Sequence, residues 1–302
     1  MSKQANQGWS DYWTSGTKSA PSSCLPSGSD AIQNRQQHIW REYGSKLPRK
    51  ASVLDLATGD GIVLRMIRQH RPDLRLIGID ASPTLPPAPK GIKLKSGMSM
   101  EKLSFQSESF DAITSRFGFE YAGNKQSVDE IVRVLRPTGS FLFIIHHRDG
   151  PIVRFNMRRR AALHWVVDEQ RLIEKAMIFV RNPLAVNLPV PDLFKSAVGV
   201  ASQLHPQSTA SAELSQAIWL TLSNRNNGPI QNAQGALLEL KRRVQAELQR
   251  LDDLERAACD EERVTKYQTW FETYGFSVEK STDQDGVDPA PYCWILKGHR
   301  EP

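Results

Sequence analysis

The feature that most constrains the fold is a short apolar run that ends in a glycine turn, residues 53–61 (VLDLATGDG). An apolar run of this length that enters a tight turn is typical of a buried parallel strand. Apolar residues then recur at helical spacing over residues 62–70. Glycine at positions 59 and 61 lets the backbone approach a ligand that side chains would exclude. The run therefore predicts a strand, a tight turn and the start of a helix in succession.

The same alternation of strands and helices continues to about residue 147. The predicted strands are residues 51–58, 74–82, 91–97, 110–118 and 140–147, and the predicted helices are residues 31–46, 62–70 and 128–136. The proline-rich segment at residues 83–90 predicts an irregular connection, because proline is excluded from helix interiors. Such alternation predicts a mostly parallel sheet with helices on both faces.

The alternation of predicted strands and helices stops at about residue 149 and resumes after about residue 262. Within this stretch the pattern predicts helices at Arg154–Phe179 and Ala233–Ala258, separated by loops rich in Pro, Ser and Asn. After it we expect a helix at residues 264–275, with Gly275 as its C-cap, followed by strands at 276–283 and 292–300. An antiparallel pair that closes a seven-stranded sheet accounts for these last two strands.

The pattern divides the chain into three parts. Residues 1–30 form an N-terminal arm, and residues 31–148 together with 263–302 form one α/β domain. Residues 149–262 form a large helical insert after the fifth strand. We expect the insert to act as a lid, as part of a substrate site or as an oligomerisation arm.

The charges around the glycine turn indicate which kind of ligand the turn can bind. A dinucleotide-binding turn has a third glycine, where this chain has Leu64. The carboxylates of Asp55 and Asp60 would also repel a pyrophosphate. A cofactor with a positive centre and an ammonium group suits these charges better, and S-adenosylmethionine has both. Nicotinamide chemistry is accordingly disfavoured.

The run at residues 53–61 resembles the glycine-rich first motif of class I S-adenosylmethionine-dependent methyltransferases. Asp80 ends the second predicted strand about twenty residues later, where a carboxylate can accept ribose hydroxyls. Three further segments, at residues 98–113, 117–122 and 130–144, resemble the third-strand loop, the fourth-strand exit and the fifth strand of that family. The resemblance covers about residues 50–147 and does not reach the insert.

The resemblance implies a Rossmann-like α/β fold, S-adenosylmethionine as cofactor and a set of cofactor-binding positions. These positions are Asp55, Ala57, Gly59, Asp60, Gly61, Asp80, Ala81, Ser99, Met100 and Phe117. Asp55 and the turn would hold the methionine end, and Asp80 would bind the ribose. The sequence departs from the family at Ser99, where an acid often bonds the adenine amino group.

Candidates for acceptor binding and catalysis follow the fourth and fifth strands. His146 and His147 come at the carboxyl end of the fifth strand, and strand alternation allows at most one to face the site. A neutral imidazole there could take a proton from a hydroxyl or amine, although a strand-end histidine can equally bond only to backbone. Glu120, Tyr121 and Trp13 are candidates for contact with the acceptor.

The leading hypothesis is methyl transfer to oxygen or nitrogen of a small molecule. The net charge of +6 and the run Arg158–Arg160 keep an RNA methyltransferase open as a less favoured alternative, although such a run is also typical of a solvated helix face. A methyltransferase-like protein that binds a partner without catalysis is a second alternative. Homo-oligomerisation through the insert also stays open.

The remaining features exclude other classes. The chain has no apolar run long enough to span a bilayer, and its N-terminus lacks the apolar core of a signal peptide. Cys24, Cys259 and Cys293 are widely spaced, which argues against a disulfide framework or a structural zinc site. We expect a cytoplasmic protein with no membrane partner and no metal.

Overall fold

The computed structural model describes Trp9, residues 30–226 and residues 230–300. Most of the predicted arm at residues 1–30, including Trp13, lies outside these residues. The chain divides into two compact units, one of residues 1–153 and 253–302 and one of residues 154–252. Each unit is described by itself below.

The first unit, the sheet unit, contains a seven-stranded sheet. Its elements are α1 (Asp30–Lys46), β1 (Ser52–Leu56), α2 (Ile62–His70), β2 (Arg75–Ile79), β3 (Ile92–Lys95), β4 (Phe110–Arg116), a 3₁₀ turn (Phe119–Tyr121), α3 (Lys125–Val134), β5 (Leu135–His146), α9 (Glu261–Glu272), β6 (Phe276–Asp283) and β7 (Cys293–Arg300). The strand order is β3-β2-β1-β4-β5-β7-β6. Strands β1 to β5 are parallel to one another, whereas β7 runs antiparallel to both of its neighbours, β5 and β6. This sheet confirms the predicted fold class.

The core lies on both faces of the sheet because the central strands carry buried apolar side chains on each side. Leu54 and Ile113 are buried in one hydrophobic cluster. Their chain neighbours Val53 and Ala112 are buried in a second cluster. Since successive side chains of a strand point to opposite faces, the two clusters are the two sides of one sheet.

The helix before the fifth strand ends earlier than predicted. The prediction was residues 128–136, but α3 ends at Val134 and β5 begins at Leu135. Leu135 is extended, and Arg136 is itself disfavoured in a helix because it precedes Pro137. A register shift between Phe110 and Ala112 accommodates this early start of the strand.

The terminal hairpin is anchored by a buried carboxylate. Asp283 accepts a hydrogen bond from the Tyr292 hydroxyl at 2.6 Å and from Arg35 Nε at 3.0 Å. Arg35 lies on α1, so this contact joins the last two strands to the first helix. The predicted C-cap was Gly275, but α9 ends at Glu272 with Thr273 as its C-cap. Gly275 follows two residues later with a φ of 77°, a conformation that glycine adopts without strain.

The second unit, the helical unit, is built around its own apolar cluster. Its elements are α4 (Pro151–His164), a π-helical turn (Trp165–Glu169), α5 (Leu172–Arg181), a 3₁₀ turn (Pro183–Val186), α6 (Asp192–Leu204), α7 (Ala210–Ser223) and α8 (Ile230–Ala257). None of the helices among the described residues is both long and apolar enough to cross a membrane.

Two predictions for the helical unit were wrong. The helix predicted at Arg154–Phe179 is broken, because Arg171 has a φ of 51° that a helix interior does not allow. The stretch expected to be loops contains α6 and α7. Leu214, Ile218 and Leu222 of α7 are buried at four-residue spacing, a helical signal that the Ser, Pro and Asn content of the stretch obscured.

Candidate functional site

The carboxyl ends of the neighbouring strands β1, β2, β3 and β4 border a cavity of about 210 Å³ in the sheet unit. This is the edge at which open parallel sheets bind ligands. The residues predicted from the sequence that line the cavity are Asp55, Ala57, Asp80, Ala81, Ser99, Met100, Phe117 and Tyr121. The structure thus brings together residues that are up to 66 positions apart in the chain, from Asp55 to Tyr121.

Asp55, at the end of β1, is buried and holds two hydroxyl groups. Its Oδ2 accepts from Thr58 Oγ1 at 2.6 Å, and its Oδ1 accepts from Thr114 Oγ1 at 2.7 Å. Burial raises the pKa of Asp55 to about 7, although these two hydrogen bonds oppose the shift. The cavity therefore contains a carboxyl group that a cation would readily hold in its charged form.

Asp80, at the end of β2, fixes the glycine turn. Its Oδ2 accepts from the backbone N–H of Gly59 at 3.0 Å, and its Oδ1 accepts from that of Ser82 at 2.8 Å. Burial raises the pKa of Asp80, and the backbone hydrogen bonds oppose that rise. A second desolvated carboxyl group consequently faces the same cavity.

The turn between β1 and α2 has a left-handed backbone at three positions. The φ angles are 51° at Ala57, 54° at Gly59 and 75° at Gly61. Ala57 adopts this strained conformation without being glycine, which is typical of ligand-binding loops. Opposite it, a Cβ on Gly118 would lie 2.4 Å from the Ala57 Cβ. Only glycine therefore fits at position 118 with the two segments this close.

Several predicted positions support the cavity without lining it. Gly59 and Gly61 shape the turn, as described above. Asp60 Oδ1 accepts from the N–H of Ile62 at 3.1 Å, and its Oδ2 pairs with Arg65 at 2.9 Å. Asp60 therefore stabilises the start of α2.

Glu101, which the sequence reasoning missed, lines the cavity beside Ser99. Its Oε1 accepts from Asn124 Nδ2 at 2.6 Å, and its Oε2 accepts from Ser99 Oγ at 3.3 Å. The sequence did contain a signal for Glu101. The family often has an acid at the position of Ser99, and Glu101 is an acid only two positions later.

Other lining residues had weaker signals. Thr58, Ser82, Met98 and Arg116 also line the cavity. Arg116 Nε donates to Oε1 of the buried Gln36 at 2.5 Å. A charged residue at the end of an apolar strand was the only sign of Arg116 in the sequence.

Phe117 and Tyr121 form the wall on the β4 side. The φ of Phe117 is 55°, and its N–H donates to the carbonyl of Ile144 on β5 at 2.7 Å. Tyr121 meets Trp9 edge-on, with ring centroids 5.5 Å apart. Trp9 also lines the cavity, whereas Trp13 lies outside the described residues.

The two strand-end histidines have different surroundings. His146 is buried and bonded to Glu120, with 2.7 Å between Nδ1 and Oε1. His147 is half-buried and stacks on Trp294, with ring centroids 4.9 Å apart. Glu120, His146 and His147 are not among the residues that line the cavity.

The basic run lies in the helical unit and is largely ion-paired there. Arg159 Nε pairs with Glu247 at 2.5 Å, and Arg160 Nε pairs with Asp252 at 2.5 Å. Arg158 is exposed. The run therefore presents less unbalanced positive charge than its sequence suggests.

Comparisons with known proteins place part of the sheet unit in a family. A family model described as a methyltransferase domain matches residues 54–143. The demethylmenaquinone methyltransferase of Thermotoga maritima is 35% identical over 97 residues, which is 30% of this chain and 42% of that protein. The demethylmenaquinone methyltransferase of Thermus thermophilus is 29% identical over 107 residues, 33% of this chain and 48% of that protein. The matched region thus spans less than half the length of these relatives.

Solved structures give a wider but weaker similarity. A plantazolicin methyltransferase in complex with SAH is 11% identical over 99% of this chain and 96% of that chain, with a TM-score of 0.47. A putative methyltransferase in complex with a Trm112 activator from Haloferax volcanii is 23% identical over 45% of this chain and 60% of that chain, with a TM-score of 0.36.

Proposed function

We propose that this chain, in which residues 54–143 belong to a class I S-adenosylmethionine-dependent methyltransferase domain, transfers a methyl group from S-adenosylmethionine to oxygen or nitrogen of a small molecule. The observation that carries the proposal is the pair of desolvated carboxyl groups, Asp55 and Asp80, at one cavity beside the glycine turn.

The residues present fit this cofactor. Burying a carboxylate is costly unless an opposite charge compensates for the lost hydration. A ligand with a sulfonium and an ammonium group supplies positive charge beside Asp55 and Asp80. The apolar side chains of Met98, Met100 and Phe117 line the same cavity and suit the flat faces of an adenine ring.

Each lining residue then has a role in holding the cofactor. Asp80 accepts the ribose hydroxyls, and Asp55 with the turn at Ala57 holds the methionine end. Ala81 lies against the adenine, with Ser99 and Met100 at its edge. Glu101 accepts a hydrogen bond from the adenine amino group. In the family, an acid at the position of Ser99 often makes this bond.

The bound cofactor supplies an electrophilic methyl group on a positively charged sulfur. The contribution of the chain is to align the acceptor with that methyl group, because alignment alone removes much of the barrier to a displacement reaction. Tyr121 of the cavity wall is the side chain that positions the acceptor.

A small-molecule acceptor is favoured over RNA by two observations. The relatives are named for demethylmenaquinone, and the ion pairs of Arg159 and Arg160 leave the basic run less able to bind phosphates. The presence of Asp55, Asp80 and the turn favours catalysis over a binding role without chemistry. The roles expected of the insert at residues 149–262 stay predictions.

The first experiment is calorimetric titration of the chain with S-adenosylmethionine and S-adenosylhomocysteine. We expect micromolar binding that weakens at least tenfold in Asp80→Asn, about 1.4 kcal/mol, because the variant loses the charge near the ribose. Asp111→Asn is the matched control, since Asp111 lies at the opposite end of β4 and pairs with Arg136. Absence of binding by folded protein would overturn the proposed function.

A further inference from the structure

Glu120 and His146 form a buried pair that the proposed cofactor site does not use. Glu120 belongs to the 3₁₀ turn after β4, and His146 is the last residue of the neighbouring strand β5. The exposed fractions of the two side chains are 0% and 1%. Two ionisable groups so fully removed from water are rare in proteins unless they are paired, and this pair lies at the carboxyl edge of the sheet.

The hydrogen bonds of the pair define the form of the imidazole. Glu120 Oε1 accepts from the backbone N–H of His146 at 3.0 Å and lies 2.7 Å from His146 Nδ1. A carboxylate oxygen that already accepts from one N–H acts as acceptor toward Nδ1 as well, so Nδ1 carries the proton. In a neutral ring this leaves a lone pair on Nε2.

The groups around the pair are one cation and two groups that stay neutral. Arg263 Nη2 donates to the backbone carbonyl of Glu120 at 2.8 Å, and its positive charge acts on Glu120. The N–H of Cys259 donates to the carbonyl of His146. Burial raises the pKa of Cys259 to about 12, so that it remains a thiol. Burial also raises the pKa of Tyr267, which remains a phenol.

Two polar atoms of the pair lack a partner within the described part of the chain. They are His146 Nε2 and Glu120 Oε2, both shielded from water. Leaving a buried polar atom unsatisfied costs about 1–3 kcal/mol, and such atoms in native structures call for an explanation. Because the Nε2 lone pair accepts no hydrogen bond from the described residues, it is available to accept a proton from a ligand.

Two aromatic residues contact the His146 ring and also line the cavity. The Phe117 ring stacks on the His146 ring, with centroids 4.2 Å apart, and the Tyr121 ring meets it edge-on at 6.3 Å. Both rings also line the cavity. Phe117 has a left-handed backbone, a strained conformation of the kind concentrated at functional sites. A shift of either ring as the acceptor enters would open Nε2 to it.

We propose that His146, oriented by Glu120, is the general base of the transfer, and that the acceptor is therefore a hydroxyl or amine group that must lose a proton. This inference rests on the proposed function and narrows its substrate class. It excludes oxygen and nitrogen nucleophiles that carry no proton to lose, such as tertiary amines.

The step balances without another reactant. A lone pair of the acceptor oxygen or nitrogen forms the bond to the methyl carbon, and the carbon–sulfur bond breaks with its electrons going to sulfur. The acceptor's proton passes to Nε2, which becomes an imidazolium beside the Glu120 carboxylate. Release of that proton to water restores the base.

The test compares three aromatic probes that differ in the proton they must lose. At mildly alkaline pH phenol is still mainly protonated, 4-nitrophenol is largely ionised, and methyl phenyl sulfide has no acidic proton. We expect His146→Gln to lower kcat/KM at least about 100-fold with phenol and less than about threefold with 4-nitrophenol. The control is His164→Gln, because His164 also pairs with a carboxylate, Asp168, but the exposed fractions of these two side chains are 38% and 61%.

Glu120 acts as a positioning residue, and its test is a pH profile. Glu120→Gln keeps an oxygen that can accept from Nδ1 but removes the negative charge that stabilises the imidazolium. We expect the ascending limb of the pH–rate profile with phenol to move to lower pH and the maximal rate to fall. A purely structural role would lower the rate without moving the limb.

The outcomes separate this inference from the proposed function. If the wild type and His146→Gln bind S-adenosylmethionine equally in calorimetry, the cofactor site is intact. Equal losses with phenol and 4-nitrophenol, methylation of the sulfide alone, or no methylation of any probe would then overturn the role of His146. Absence of cofactor binding by the wild type would instead overturn the proposed function.

Discussion

At the scale of single residues, the burial of Asp55 makes the stability of the sheet unit depend on pH. The side chain is fully buried, and burial raises its pKa to about 7, whereas an aspartate in an unfolded chain titrates near about 3.9. Because the folded pKa is the higher one, the contribution of Asp55 to stability is complete below about pH 4 and is lost as the pH rises to about 7.

We therefore expect the free energy of unfolding of the wild type to fall, relative to that of Asp55→Asn, as the pH rises from about 4 to about 7. The asparagine can keep hydrogen bonds to Thr58 and Thr114 but cannot ionise. Denaturant unfolding at a series of pH values measures the difference. Identical pH dependence in the two proteins would contradict the raised pKa, and Asp111→Asn controls for loss of a carboxylate elsewhere on the sheet.

At the scale of elements, Asn124 performs two tasks at the start of α3. Its Oδ1 accepts from the N–H of Ser127 at 2.9 Å and so caps the helix. Its Nδ2 donates to Glu101, which lines the cavity. One side chain thus connects the stability of a helix to the geometry of the adenine end of the proposed site.

Two substitutions should separate these tasks. Asn124→Ala is expected to lower the free energy of unfolding by about 1 kcal/mol, and Asn124→Ser should recover most of that loss because serine also caps helices. Alanine has no donor for Glu101 and serine is shorter than asparagine, so both variants should bind S-adenosylmethionine more weakly. Denaturant unfolding and calorimetry measure the two effects. Full recovery of affinity in Asn124→Ser would show that Glu101 needs no support from Asn124.

At the scale of the whole molecule, the apolar residues fall into separate clusters. Those of the sheet lie on its two faces, and the helical unit has a cluster of its own. Leu237 is fully buried in that third cluster, whereas its chain neighbour Leu238 is 54% exposed.

We expect Leu237→Ala to destabilise the helical unit by about 2–5 kcal/mol, the usual cost of removing a buried leucine, while S-adenosylmethionine affinity changes less than about twofold. Hydrogen exchange over residues 154–252 reports the first effect and calorimetry the second. Leu238→Ala should change neither. A parallel loss of cofactor affinity in Leu237→Ala would show that the two units are energetically coupled.

The sequence alone determined the order of elements in the sheet unit and the core of the candidate site. The apolar runs, the glycine turn at residues 57–61 and the acid at Asp80 are local signals, because strand burial and turn geometry depend on neighbouring residues. The helices α6 and α7 were missed even though the buried positions of α7 follow a helical period.

Only the tertiary structure decided which side chains meet. Thr114 reaches Asp55 across 59 positions, and Glu120 reaches His146 across 26. Both contacts depend on the pairing of strands β1, β4 and β5, which sequence spacing does not encode. The role of Glu101 likewise depends on Asn124, 23 positions away. Local periodicity fixes the elements, but the partner of a buried polar group is set by the packing of segments distant in the chain.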